Sequence, residues 1–97
     1  MNDENLIKNL PLSIGEYSTD LKYAQDVCVY LCEKHTNEEV RANSVLGLSY
    51  LARRFGTLSE KIVPCLEKEY VCNKKFRGRI VSAIEDIELF TEGRIKI

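Results

Sequence analysis

Three residues with helical spacing offer the first candidate chemistry in this chain. Cys28, Cys32 and His35 are separated by four and three positions, so they lie along one face of a predicted helix and could hold a metal ion. A tetrahedral site needs a fourth ligand, but the sequence contains one histidine, four cysteines and no CxxC pair. We therefore predict no metal site and no cofactor, and instead reduced, mostly buried thiols.

The single histidine also limits the possible catalysis. It leaves no Ser-His or Cys-His arrangement with a distinct base. An acidic cluster comprises Glu85, Asp86 and Glu88, and a pair of these carboxylates could serve acid–base chemistry. A solvated helix face is the better interpretation, because no pocket motif lies beside the cluster. The five glycines are scattered and form no phosphate-binding loop. We predict no catalytic residues, no enzymatic activity and no small-molecule substrate.

One basic run stands at the start of a predicted helix, where anions bind favourably. It comprises Lys74, Lys75, Arg77 and Arg79. Nearby acidic residues cancel this charge, and the net charge of the chain is −1. Direct nucleic-acid binding is therefore a minor alternative.

The composition is that of an ordinary soluble domain. Of the 97 residues, 44% are hydrophobic and 30% are charged, which argues against a disordered chain. No apolar run approaches the ~20 residues of a membrane helix, and the N-terminus has neither the basic nor the apolar part of a signal peptide. We expect a single cytoplasmic domain without membrane contact.

The stretch Asn37–Gly56 is the strongest helix signal in the chain, because capping residues stand at both of its ends. Thr36 or Asn37 can cap its start, and Gly56 can end it with a positive φ. Acidic residues in the first turn and arginines in the last turn complement the helix dipole. The apolar face at about 100° per residue comprises Val40, Ser44, Leu48, Leu51 and Phe55.

A second stretch, Asn73–Phe90, repeats this pattern at an offset of 36 residues, with Asn73 matching Asn37 as the predicted cap. Each long helix follows a shorter one, predicted from Thr19 or Asp20 to Lys34 and from Leu58 to Tyr70. A period of this length is typical of helical solenoids. The prediction is repeat 1 over residues 20–56 and repeat 2 over residues 57–90.

The two prolines and the C-terminal tail allow three predictions of local structure. Pro11 predicts an irregular N-terminal cap over residues 1–19, with Leu12, Ile14 and Tyr17 covering repeat 1. Pro64, inside the third predicted helix, predicts a kink. In the tail, residues 91–97, Ile95 and Ile97 either pack back or fray.

The segments EEVRANSVLGLSYLARRFG, IVPCLEKEY and FRGRIVSAIEDIELF resemble HEAT repeats. In particular, residues 20–90 are similar to small bacterial HEAT-like proteins, including immunity proteins of contact-dependent growth inhibition systems whose toxins include EndoU-type RNases. The resemblance implies an all-α fold of two stacked helical hairpins, a short α-solenoid. It also implies that Arg41 and Arg77, at the repeated arginine position, pair with acidic groups inside the stack.

The resemblance implies a non-catalytic binding protein whose partner is a protein toxin, most simply an RNase. In stacked repeats the second helices line the concave, partner-binding side. The predicted binding surface comprises Asn43, Leu46, Ser49, Tyr50, Arg53, Arg79, Ser82, Glu85, Asp86 and Leu89. Its carboxylates would meet the cationic cleft of the toxin, and Tyr50 and Leu46 would be the buried anchors.

Several alternatives stay open at this point. Leu46 and Leu89 could instead pack against the N-terminal segment and the tail. The function could be that of a general HEAT-like adaptor or scaffold subunit. A stack of two repeats could also be stabilised as a weak homodimer.

Overall fold

Five α-helices and one 3-10 turn make up the described part of the chain. The structure is a computed structural model that describes residues 4–95, with side chains from residue 6 onward. In chain order the elements are α1 (Glu4–Tyr17), α2 (Leu21–Lys34), α3 (Glu38–Phe55), a 3-10 turn (Glu60–Ile62), α4 (Val63–Cys72) and α5 (Arg77–Phe90). No strand occurs within residues 4–95, which confirms the all-α prediction. In the same range, no helix combines the length and apolarity needed to cross a membrane.

The central helix is α3, against which α1, α2 and α5 all pack. Its predicted caps are confirmed. The Asn37 side chain accepts two backbone N–H groups of the first turn at 2.8 and 3.1 Å, and Gly56 takes a φ of 71° at the other end. The predicted apolar face is buried from Val40 to Leu51, but Phe55 in the last turn is exposed.

The N-terminal segment forms the regular helix α1, so the prediction of an irregular cap is wrong. Pro11 lies inside this helix, where a proline ordinarily costs about 3 kcal/mol. Packing offsets that loss because α1 lies directly on α3. A Cβ on Gly15 would stand 2.6 Å from the carbonyl oxygen of Gly47. Arg54 holds the end of α1 by donating to the carbonyl oxygens of Gly15 and Ser18 at 2.8 and 2.6 Å.

The kink predicted at Pro64 does not form, because α4 begins at Val63 rather than near Leu58. Pro64 therefore lies in the first helical turn, where its missing N–H has no intrahelical partner to lose. A separate 3-10 turn precedes α4, and the Ser59 side chain caps it by accepting the N–H of Lys61 at 3.2 Å.

The last helix starts at Arg77, four residues after the predicted cap Asn73. The buried Asn73 instead ends α4. Its amide donates to Glu69 Oε1 at 3.0 Å and to the carbonyl oxygen of Glu38 at 2.9 Å. Because these two bonds fix the Asn73 side chain, the chain turns there before α5 begins. In the tail, Ile95 packs into the core, whereas Ile97 lies outside the described residues.

Candidate protein-binding surface

Two of the five α3 residues of the predicted binding surface are buried. Asn43 is buried and donates to the carbonyl oxygen of Lys8 in α1 at 2.9 Å. Ser49 is 2% exposed and bonds the carbonyl oxygen of Leu46 in its own helix. The prediction that these two residues face a partner directly is wrong, because both are buried, and for Asn43 the covering element is the N-terminal helix α1.

The other α3 residues of the predicted surface are partly accessible. Leu46 packs against the core. Tyr50 lines an open recess next to Glu16, Arg53 and Arg54. The Arg53 guanidinium lies 5.3 Å from the centre of the Phe90 ring and 3.6 Å from a carboxylate oxygen of Asp86. Arg53 and Asp86 thus connect α3 to α5.

Arg79, from the basic run, also connects these two helices. It donates to Asn43 Oδ1 at 2.6 Å and lies 3.5 Å from a carboxylate oxygen of Glu39. The hydrogen bond from Lys8 lowers the pKa of the Glu39 carboxyl, and Arg79 adds to the effect. Asn43, Arg79 and Glu39 therefore form a polar junction between α1, α3 and α5 rather than an open binding patch.

The remaining predicted residues, Ser82, Glu85 and Leu89, lie on the exposed side of α5. Leu89 is 68% exposed, so the alternative that it packs under the tail is wrong. These three residues are the most accessible part of the predicted surface on α5.

Next to them, a groove of about 470 Å³ separates α4 from α5. Its lining is apolar along the floor and acidic at the rim. The α4 side contributes Glu67, Tyr70 and Val71, and the α5 side contributes Val81, Ile84, Glu85 and Glu88. We call this site the α4/α5 groove.

Two features make the α4/α5 groove a surface suited to a partner. Tyr70 is 48% exposed and Val71 is 64% exposed, although both are large apolar groups. Among the described residues, no lysine or arginine forms an ion pair with Glu67 or Glu85. The Arg77 guanidinium lies 5.8 Å from the centre of the Tyr70 ring.

Of the residues that line this groove, the predicted binding surface contains only Glu85. On the helix predicted from Leu58 to Tyr70, the expected buried face comprises Ile62, Val63, Leu66 and Tyr70, so the sequence predicts a buried Tyr70, which is wrong. The signal that was present is spacing. Glu67, Tyr70 and Val71 stand at i, i+3 and i+4 on α4, and the α5 lining from Val81 to Glu88 has the same helical spacing.

The three residues with metal-ligand spacing have different surroundings. Cys28 and Cys32 are buried in the core, and burial raises the pKa of the Cys28 thiol to about 12. Such a thiol carries almost no thiolate at neutral pH. The imidazole Nδ1 of His35 accepts the backbone N–H of Asn37 at 3.1 Å in the turn between α2 and α3. Cys72 is exposed, and the other three thiols are buried.

The expectation for the repeated arginines is confirmed for one of them. Arg41 Nε lies 3.1 and 3.2 Å from the two carboxylate oxygens of Glu69, which is buried on α4. Arg77 at the corresponding position is exposed and donates to the carbonyl oxygen of Val71, so the expectation is wrong there. Within residues 4–95, no helix follows α5 that could supply a matching carboxylate.

Comparison with protein-family models, with curated proteins and with solved structures finds no match to this chain.

Proposed function

We propose that this protein is a non-catalytic binding module, an immunity protein that neutralises a nuclease toxin in the cytoplasm by covering the toxin's active site. In this proposal the α4/α5 groove is the contact surface. This protein and RNA would then compete for the toxin, because the bound protein would occupy the cleft that otherwise holds the RNA backbone.

The observation that carries the proposal is the combination of exposed apolar side chains with unpaired carboxylates. A nuclease cleft is cationic because it binds a polyanion. Glu67 and Glu85 complement such a cleft, and charge complementarity speeds association and selects the partner. Tyr70 and Val71 supply apolar area that a partner can remove from water, and tyrosine is enriched among residues that dominate binding energy.

The sequence resemblance supports the same proposal. We propose that α2 with α3, and α4 with α5, are two stacked HEAT-like hairpins, and that α1 covers the free side of the first. In such arrays function resides in the surface presented by the repeats. The Arg41–Glu69 contact supports this arrangement, since it joins α3 of the first hairpin to α4 of the second.

Two other functions have less support. A general adaptor or scaffold subunit would use the same groove and differs only in its partner. Nucleic-acid binding would use the basic run, but Arg79 is already bonded to Asn43 and Arg77 lies over Tyr70. Lys74, Lys75 and Arg77 remain exposed, which is little for a phosphate-binding surface.

The test is a growth-protection assay with the toxin that the proposal expects to be encoded directly before this gene. Co-expression of the wild-type chain should prevent growth arrest, and the purified proteins should form a complex that lacks nuclease activity. Tyr70→Ala should weaken that complex by about 2 kcal/mol. Glu85→Lys should mainly slow association and reduce its salt dependence.

Two matched controls keep the assay specific to the groove. Tyr23→Ala removes another exposed tyrosine, and Glu33→Lys reverses another exposed carboxylate; both residues lie on α2, outside the groove. These variants should protect like the wild type. If the wild-type chain neither binds nor protects, the proposed function is wrong. If the groove variants fold and protect fully, the function stands but the groove is not the contact surface.

A further inference from the structure

The α4/α5 groove lies where α5 lacks a neighbour that α3 has. α3 is packed by helices on three sides, whereas α5 packs chiefly against α3 and α4. The 36-residue offset allows the two helices to be compared position by position. Val45, Ser49 and Ala52 of α3 are all buried. Their half-buried or exposed counterparts on α5 are Val81, Glu85 and Glu88.

The shape of this open side suits a helix. The α5 lining runs from Val81 to Glu88, which is about 10 Å, or two turns, at the rise of an α-helix. Ridges from Tyr70 and Val71 on α4 form the opposite wall. A groove between two packed helices accepts a third helix through residues at i, i+3, i+4 and i+7.

The charge of the rim decides which helix fits. Glu67 and Glu85 lie on opposite walls, so a helix in the groove would have acidic groups on both flanks. A second copy of this chain, docked by the same groove about a twofold axis, would bring the acidic rims of the two grooves into one contact. Like charges at such a contact are unfavourable, which argues against self-association there.

We propose that the occupant of the α4/α5 groove is a single amphipathic helix whose apolar stripe is flanked on both sides by lysine or arginine. This inference rests on the proposed function only for the identity of the protein that carries the helix. The stripe contacts Val81 and Ile84, and the flanking cations pair with Glu67 and Glu85.

The experiment is a selection from a display library of single helices with randomised apolar and flanking positions. The library is selected on the wild-type chain and counter-selected on the Val71→Arg/Glu85→Lys variant. Val71 and Glu85 are both exposed, so this variant should keep the fold, which circular dichroism checks. Selected helices should be enriched in lysine and arginine beside the stripe.

A selected peptide is then synthesised and its affinity measured. Glu85→Lys and Val71→Arg should each weaken binding by about tenfold or more, and Glu33→Lys should leave it unchanged within about twofold. Raising the salt concentration should weaken binding to the wild type and have less effect on Glu85→Lys.

Three outcomes would overturn the inference. The first is a selection that yields no groove-dependent helix. The second is enrichment of neutral or acidic flanks. The third is sedimentation that shows a dimer of the chain which Val71→Arg dissociates, because the occupant would then be a second copy. Protection against the toxin is measured in the growth assay, independently of the helix selection. Lost protection with normal helix selection refutes the proposed function alone, and protection without helix selection refutes this inference alone.

Discussion

A single added methyl group at Gly47 should separate α1 from α3. A Cβ at this position would stand 2.5 Å from the carbonyl oxygen of Pro11 and 3.1 Å from the Cys28 sulfur. The oxygen belongs to backbone inside α1, so it cannot rotate away as a side chain would. Restoring an ordinary contact requires α1 to move by about 1 Å, which disturbs its bonds to Asn43 and Arg54.

The expected magnitude is a balance of two terms. Alanine is favoured over glycine inside a helix by about 1 kcal/mol, whereas overpacking typically costs about 1–3 kcal/mol. The clash with a backbone atom is severe, so we expect Gly47→Ala to lower the free energy of unfolding by about 2 kcal/mol. For a domain of this size, that corresponds to a decrease in Tm of about 10 °C.

The assay is urea denaturation followed by circular dichroism, with hydrogen exchange to locate the effect in α1. Gly78→Ala is the matched control, because a Cβ there meets nothing within 4 Å. It should raise the stability by about 0.5 kcal/mol. If Gly47→Ala is as stable as the wild type and α1 keeps its protection from exchange, the close approach of α1 and α3 is refuted.

Three further predictions concern the interior. Glu69→Gln should destabilise the fold by about 3 kcal/mol, because it leaves the Arg41 guanidinium without its carboxylate; chemical denaturation measures this loss. Leu51→Ala should cost about 2–5 kcal/mol through an internal cavity, measured in the same way. Cys72 should react first with a thiol reagent in the native protein at pH 8. Cys28 should react only on unfolding, because burial raises its pKa and keeps it protonated.

Control variants and contrary results test these three predictions. Leu89→Ala removes an exposed leucine and should change stability by less than about 0.5 kcal/mol. An Arg41→Ala/Glu69→Gln double variant should lose less than the sum of the two single variants. Additive losses would show that the two side chains are not coupled. Equal reaction rates for all four thiols in the native protein would contradict the buried positions of three of them.

Much of α3 could be predicted from the sequence, because its signals are local. Asn37 as a cap, Gly56 at the C-terminal end and the apolar positions from Val40 to Leu51 depend on neighbours within one or two turns. The same holds for Asp20, which caps α2 by accepting the N–H of Tyr23 at 3.0 Å. Such features follow from backbone hydrogen bonding and helical period alone.

At two other positions the residue type has a clear local preference, but the structure formed there differs from it. Asn73 is a good helix cap by type, but its amide is bound by Glu69 and by the carbonyl of Glu38, so it ends α4 and α5 starts later. Pro11 is a helix breaker by type, but α1 continues through it because docking on α3 stabilises the helix. In both cases a contact with residues about 30 or more positions away outweighs a preference worth a few kcal/mol.

The candidate site shows the same division. By itself, the sequence determined an all-helical chain with a central capped helix, and it identified exposed charged and apolar residues on α5. Only the tertiary structure decided which helix face remained open. The α3 face is covered because two glycines let α1 approach closely, and the α5 face stays accessible beside α4. Which face is covered depends on how whole helices pack, and that is set by long-range contacts that helical periodicity does not encode.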